Sequence, residues 1–324
     1  MASIITKTIG TAGGRDYSTI GAWLAACPAN LVTADQVWKG VCYNDTAFNE
    51  QVSIASHTTD ATRYIWLTAA DGEWHNGSLS AGVRIDRGAA AGYVLYNSDA
   101  YTIIEKIRVT NVTDNTYPGI NIVKTVGNGS ILRKLIVHNC SFTHGFEIGI
   151  AIKVNGAGNA INCIVANISS SGSNGMGISA DYYGYPGPVN VYNCLTYNVK
   201  TGIYVSSASY CRNNCALRPA GSSHTCMSGG SNQGESNNLS TDTTALGTDA
   251  QKSKVATDTC TDPVNGDFTL KAASAAIGNG YDLSGTFTDD IQGTARTVPW
   301  DIGAFKYTAA ATFPVFAEEI EEEY

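Results

Sequence analysis

Ile107-x-Val109-x-Asn111-Val112, Leu135-x-Val137-x-Asn139-Cys140, Cys163-x-Val165-x-Asn167-Ile168 and Cys194-x-Thr196-x-Asn198-Val199 state one pattern four times. The asparagines lie 28, 28 and 31 residues apart (139−111, 167−139, 198−167). A fifth, weaker copy reads Asn213-Asn214-Cys215, and a sixth Asn237-Asn238-Leu239. Apolar and variable positions alternate in each copy, so each predicts a short strand with one buried face. The asparagine is read as the strand's end, because it tolerates a left-handed backbone.

Two further apolar stretches recur between copies. One opens on glycine: Gly119-Ile120-x-Ile122, Gly149-Ile150-x-Ile152, Gly177-Ile178 and Gly202-Ile203-x-Val205. The other precedes the next copy, as Ile131-Leu132, Ala160-Ile161 and Val189-x-Val191. Three short strands per fixed period make a solenoid coil, which buries its apolar face only against neighbouring coils. The spacing predicts an all-β fold, a right-handed parallel β-helix. Residues 1–35 form its N-terminal strand and a short capping helix, residues 36–307 the β-helix, and residues 308–324 an acidic docking tail. In the cap, Ser18 is expected to start a helix that puts Ile20, Trp23, Leu24 and Cys27 on one face. Residues 242–262, polar and rich in threonine, read as a surface loop or lateral arm.

Composition agrees. Charged residues make up 15% of the chain and glycine 34 of 324 positions, which suits many short strands and turns. The net charge of −8 is concentrated: residues 318–324 hold five glutamates, leaving 23 acids against 20 bases elsewhere. That balance gives no basic face for nucleic acid. No run is long enough to span a membrane, and Met1-Ala2-Ser3 leads directly into a strand rather than a secretion leader. The expected setting is therefore a protein made in a host cytoplasm and carried on a virion. The nine cysteines show no zinc-type spacing, and neither metal nor cofactor is expected. Cys163 and Cys194 occupy the inward position of Ile107 and Leu135, so they read as stacked core residues. A Cys211–Cys226 disulfide is left open.

The chain's two ends bear a family resemblance. Asp301-Ile302-Gly303-Ala304-Phe305-Lys306-Tyr307 and Gly13-Gly14-Arg15-Asp16-Tyr17-Ser18-Thr19-Ile20 resemble the closing and opening segments of pectin-lyase-like right-handed parallel β-helix proteins, with Lys306 where that group commonly has glutamate. The resemblance implies the fold, and covers activities from lyases and hydrolases to adhesins and viral spikes. His144-Gly145-Phe146-Glu147 resembles the His-Gly element of galacturonan hydrolases, yet residues 111–125 hold one acid, Asp114, where paired aspartates belong. His144, Glu147 and Asp181 are the catalytic candidates, and the balance leans away from an enzyme. Asp289-Asp290 is read as a turn cap. Tyr182, Tyr183 and Tyr185, in the inserted loop that stretches the third spacing, are the candidate glycan-stacking residues. Phe313, Val315, Phe316 and Ile320 are the expected anchors of the tail on other virion proteins or on sister subunits of a homo-oligomer. Three functions follow: a bacteriophage decoration, spike or fibre protein with possible contact to a surface polysaccharide; a polysaccharide depolymerase, lyase or hydrolase; and a non-catalytic glycan-binding adhesin.

Overall fold

The computed structural model describes residues 1–88, 93–114, 121–142, 149–170, 175–181, 188–206, 209–229 and 234–309. One coil shows the construction: Ile131–Arg133, Ile136–Phe142 and Gly149–Val154, followed by Asn159–Ile161, Ile164–Ser170 and Gly175–Ala180. Each strand pairs in parallel with its counterpart one coil on, Ile131 with Asn159, Ile136 with Ile164 and Ile150 with Met176. The result is an all-β parallel β-helix with three sheets. The first runs from Ser3–Ile9 to Tyr210–Arg212, the second from Arg84–Asp86 to Leu239–Ser240, and the third from Val52–Ile54 to Thr225–Gly229.

Register makes the interior. Leu67, Ile104, Leu132, Ala160, Val191 and Cys211 form one inward column of the first sheet, and every member is fully buried. Because the side-chain period is two, a slip of one residue would turn such a column to solvent. Cys163 and Cys194 are completely buried, as their alignment with Ile107 and Leu135 implies. Their thiols donate to nearby carbonyls, Cys163 Sγ to Ile161 O at 3.5 Å and Cys194 Sγ to Tyr192 O at 3.4 Å. All nine cysteines are free, so Cys211 and Cys226 form no disulfide.

Asn111, Asn139, Asn167 and Asn198 do adopt left-handed backbone, with φ between 52° and 56°. They bend strands rather than end them: pairing resumes beyond Asn139, with Cys140 opposite Ile168. The two weaker copies belong elsewhere. Cys215 pairs with Leu195, which puts Asn213 over Asn193 and Asn214 over Cys194. A second left-handed ladder thus runs along the corner between the first and second sheets, through Lys106, Lys134, Asn162, Asn193, Asn213 and Asn237.

Both ends are closed. The helix Ile20–Ala25 starts from Thr19, not Ser18, with Thr19 Oγ1 accepting from Ala22 N–H at 3.0 Å. It ends before Cys27 joins its face, and buries Ile20, Trp23 and Leu24. Trp23 fits because position 40 is glycine, where a Cβ would lie 2.6 Å from the indole. At the far end, residues 242–251 cross the open coil instead of forming an arm. Ala245 is buried in the core, Leu246 and Ala250 pack against it, and Met227 N–H donates to Thr244 Oγ1 at 2.9 Å. An open last coil would leave apolar interior and strand edge in water, which is why this polar-looking stretch is drawn across it.

From Val255 onward the chain returns along the outside as a strap. Phe268, Leu270, Ile291, Ile302, Ala304 and Phe305 cover Ile136, Ile164, Leu195, Cys215 and Leu239, the outward residues of the second sheet. The corner asparagines fasten it. Asn162 Nδ2 donates to Asp289 O at 2.8 Å, Asn193 Nδ2 to Asp301 O at 3.0 Å and Gly303 O at 2.9 Å, and Asn213 Nδ2 to Tyr281 O at 2.8 Å. Asp290 caps turns as expected, accepting from Gln292 and Thr294 N–H with one oxygen and Lys306 N–H with the other.

Candidate functional site

The strap decides which face is available. The second sheet is covered, and Leu283, Phe287 and Trp300 pack over Ile161 and Tyr192 on the first. The rest of the first sheet's outer surface satisfies itself. Glu105 accepts from Trp66 Nε1 at 2.9 Å and Thr68 Oγ1 at 3.0 Å, pairs with Arg133 Nε, and Lys39 Nζ sits 3.9 Å from the Trp66 ring centre. From Glu105 on, the corners between these two sheets are two residues long and regular; residues 70–83, before Arg84, are longer and line a hollow of about 400 Å³ with Asn44 and Asp45. The strap's apolar clusters include no residue of the third sheet. The connections that border that sheet vary, from residues 155–158 before Asn159 to residues 181–189 before Asn190. Loops of changing length on a rigid scaffold are where binding residues gather.

Register sets what the third sheet shows to solvent. Leu95, Val123, Ile152, Ile178, Ile203 and Met227 point inward, so their neighbours Tyr96, Lys124, Lys153, Ser179, Tyr204 and Ser228 form the outward column, with Ser53 before Tyr96. Six strand spacings of ~4.8 Å make this column roughly 29 Å long. Its early part is aromatic: the Tyr93 and Tyr96 rings lie 4.7 Å apart, tilted by 32°. Its middle is basic. Lys124 Nζ stands 5.8 Å from the Tyr96 ring centre, and Lys153 Nζ lies 3.7 Å from Asp181 Oδ2. Burial and the neighbouring charge of Lys153 push the Lys124 ammonium below the usual lysine range.

Beside the later coils, a polar notch of about 500 Å³ is lined by Asn167, Ser170, Asn198, Lys200 and His224. Burial lowers the pKa of His224, helped by the charges of Lys200 and Arg218. Lys200 thus carries positive charge into this notch, while His224 is held toward its neutral form. Among the described residues, no group of three His, Cys, Asp or Glu side chains is placed to hold a metal ion, and no helix is long and apolar enough to cross a membrane.

Of the residues expected from sequence, Asp181 stands at the edge of this face, paired with Lys153. His144, Glu147, Tyr182, Tyr183 and Tyr185 lie outside the described residues, as do the tail anchors Phe313, Val315, Phe316 and Ile320. The sequence reading missed Tyr93, Tyr96, Lys124, Lys153 and Tyr204. For the last four the signal was the variable position after each inward residue of the third strand. Matching Gly119 to Gly149 concealed it, because the structure sets Asn121, not Ile120, against Ile150.

No protein-family model matches this chain, and neither does any curated protein. Among solved structures, the crystal structure of pectate lyase Pel9A aligns at 13% identity over 94% of this chain and 98% of that one, with a TM-score of 0.30. At that score nothing about the site follows from the alignment.

Proposed function

We infer that this protein is a non-catalytic, glycan-contacting rod whose third-sheet outer face binds an acidic polysaccharide. The observation that carries the reading is the column of Tyr96, Lys124, Lys153 and Tyr204 on the face that, among the described residues, the strap's apolar clusters leave out. Tyrosine rings offer flat apolar surface with a polar edge, suited to sugar faces, while the ammonium groups meet carboxylates. A parallel β-helix keeps the backbone of those groups at fixed spacing, so binding bears no backbone ordering cost. The expected setting is the bacteriophage particle surface; detection of the chain in purified particles is the corresponding check.

Binding is tested by titrating polygalacturonate, alginate and neutral dextran into the protein. The acidic polymers are expected to bind and dextran not, with affinity falling as salt rises. Lys124→Ala with Lys153→Ala removes two solvent-facing charge contacts of about 0.2–1 kcal/mol each, so affinity should drop up to about thirtyfold. Equal binding of dextran, or no loss in the double variant, would refute the reading.

A second reading, a polysaccharide lyase, is favoured by one observation. Lys124 has its ammonium pKa lowered in the middle of this face, which raises the share of unprotonated amine able to take a proton beside a uronate carboxylate. Release of unsaturated uronates by the wild type but not by Lys124→Ala would establish that reading in place of the first.

A further inference from the structure

We propose that the C-terminal tail, residues 313–323, docks in cis into an apolar groove at the C-terminal end of the second sheet. The groove, about 320 Å³, is lined by Pro219, Val255, Ala256 and Val264, with Arg218 and Lys254 also lining it. Val255 and Val264 are 54% and 67% exposed, unusual for a chain whose strap covers the second sheet's other apolar residues. Apolar side chains left together in one groove mark a surface that something covers.

The tail has matching chemistry. Phe313-Pro314-Val315-Phe316 supplies apolar side chains, and Glu318, Glu319 and Glu321 to Glu323 supply the charge opposite to Arg218 and Lys254. Reach is adequate. Phe305 lines a hollow together with Phe268, and the Phe268 ring is 5.6 Å from that of Tyr197, which lines the groove. Residues 308–312 span at most about 17 Å when extended, enough to cross a distance of a few side chains. Docking would bury the two exposed valines and pair the two cations, completing on this face the cover that the strap begins.

The test uses the full chain with Phe316 replaced by photoreactive p-benzoylphenylalanine, irradiated at low protein concentration and mapped by tryptic mass spectrometry. Expected are cross-links within one chain to residues 218–221 or 254–264. Val264→Asp and Lys254→Glu should each reduce their yield severalfold while the circular dichroism spectrum stays that of the folded chain, since Val264 lies outside the core at 67% exposure. Cross-links at the mass of a dimer would assign the groove to a second copy and overturn docking in cis. Cross-links to other segments, none at all, or an undiminished yield in Val264→Asp would overturn it as well.

Discussion

Asn193→Ala tests whether the corner ladder holds the strap. Asn193 is fully buried with φ at 50°, and its amide donates to Asp301 O and Gly303 O while its oxygen accepts from Asn213 Nδ2 at 3.1 Å. Alanine loses the two donated bonds, each contributing about 0.5–1.5 kcal/mol, and also the accepted one, whose donor Asn213 Nδ2 keeps Tyr281 O. It also bears about 1 kcal/mol for a left-handed backbone with a Cβ and no side-chain compensation. The sum is about 2–4 kcal/mol, toward the lower end because Arg296 also donates to Asp301 O and Gly303 O. Asn193→Gly keeps the backbone freedom and should recover about 1 kcal/mol of that loss. Asn167→Ala is the control. That asparagine has the same φ region but sits on the other ladder, away from the strap, and accepts one bond from Asn198 Nδ2. It should cost about 1 kcal/mol. Urea denaturation gives the three values, and limited proteolysis should show the strap cut first in Asn193→Ala. A cost for Asn193→Ala no greater than for Asn167→Ala would refute the role of the ladder as a fastening.

Two further outcomes follow from burial. His75 donates from Nε2 to Lys134 O at 2.6 Å and accepts Gly77 N–H on Nδ1 at 3.0 Å, so it is held neutral. Burial lowers its pKa to about 3. The unfolded chain takes up that proton near the ordinary histidine value, so the stability contribution is present above about pH 6.5 and is lost as pH falls, by about 1.4 kcal/mol per unit. His75→Gln, which keeps a donor but cannot titrate, should flatten denaturation midpoints between pH 7 and 5; an unchanged slope would contradict the assignment. Eight of the nine thiols are buried and Cys27 alone is partly exposed, with burial pushing it up to about 12. A thiol reagent should therefore modify at most one cysteine slowly in the native protein and all nine in denaturant, and rapid native modification of several would contradict the packing.

What the sequence determined by itself is the solenoid. A repeat of Ile107, Leu135, Cys163 and Cys194 with an asparagine four residues on fixes strand, bend and coil length, because each coil's pattern is local and each inward position meets its own equivalent one coil away. The same locality makes the cysteines legible as core and Trp23 as part of a cap. Register across coils is not local. Gly119 and Gly149 look equivalent in sequence, yet hydrogen bonding shifts the two strands by one residue, and that single step moves Lys124 and Lys153 into one outward column. The strap is likewise invisible to pattern reading. Phe268, Trp300 and Phe305 have no period, and only their packing shows that the second sheet's outer face and part of the first's are occupied. Sequence placed Asp181 among the candidates; tertiary structure paired it with Lys153 and left the third sheet as the face on which a ligand could lie. Local periodicity can specify a coil, whereas the exposed surface of a rod depends on long-range contacts that no single coil encodes.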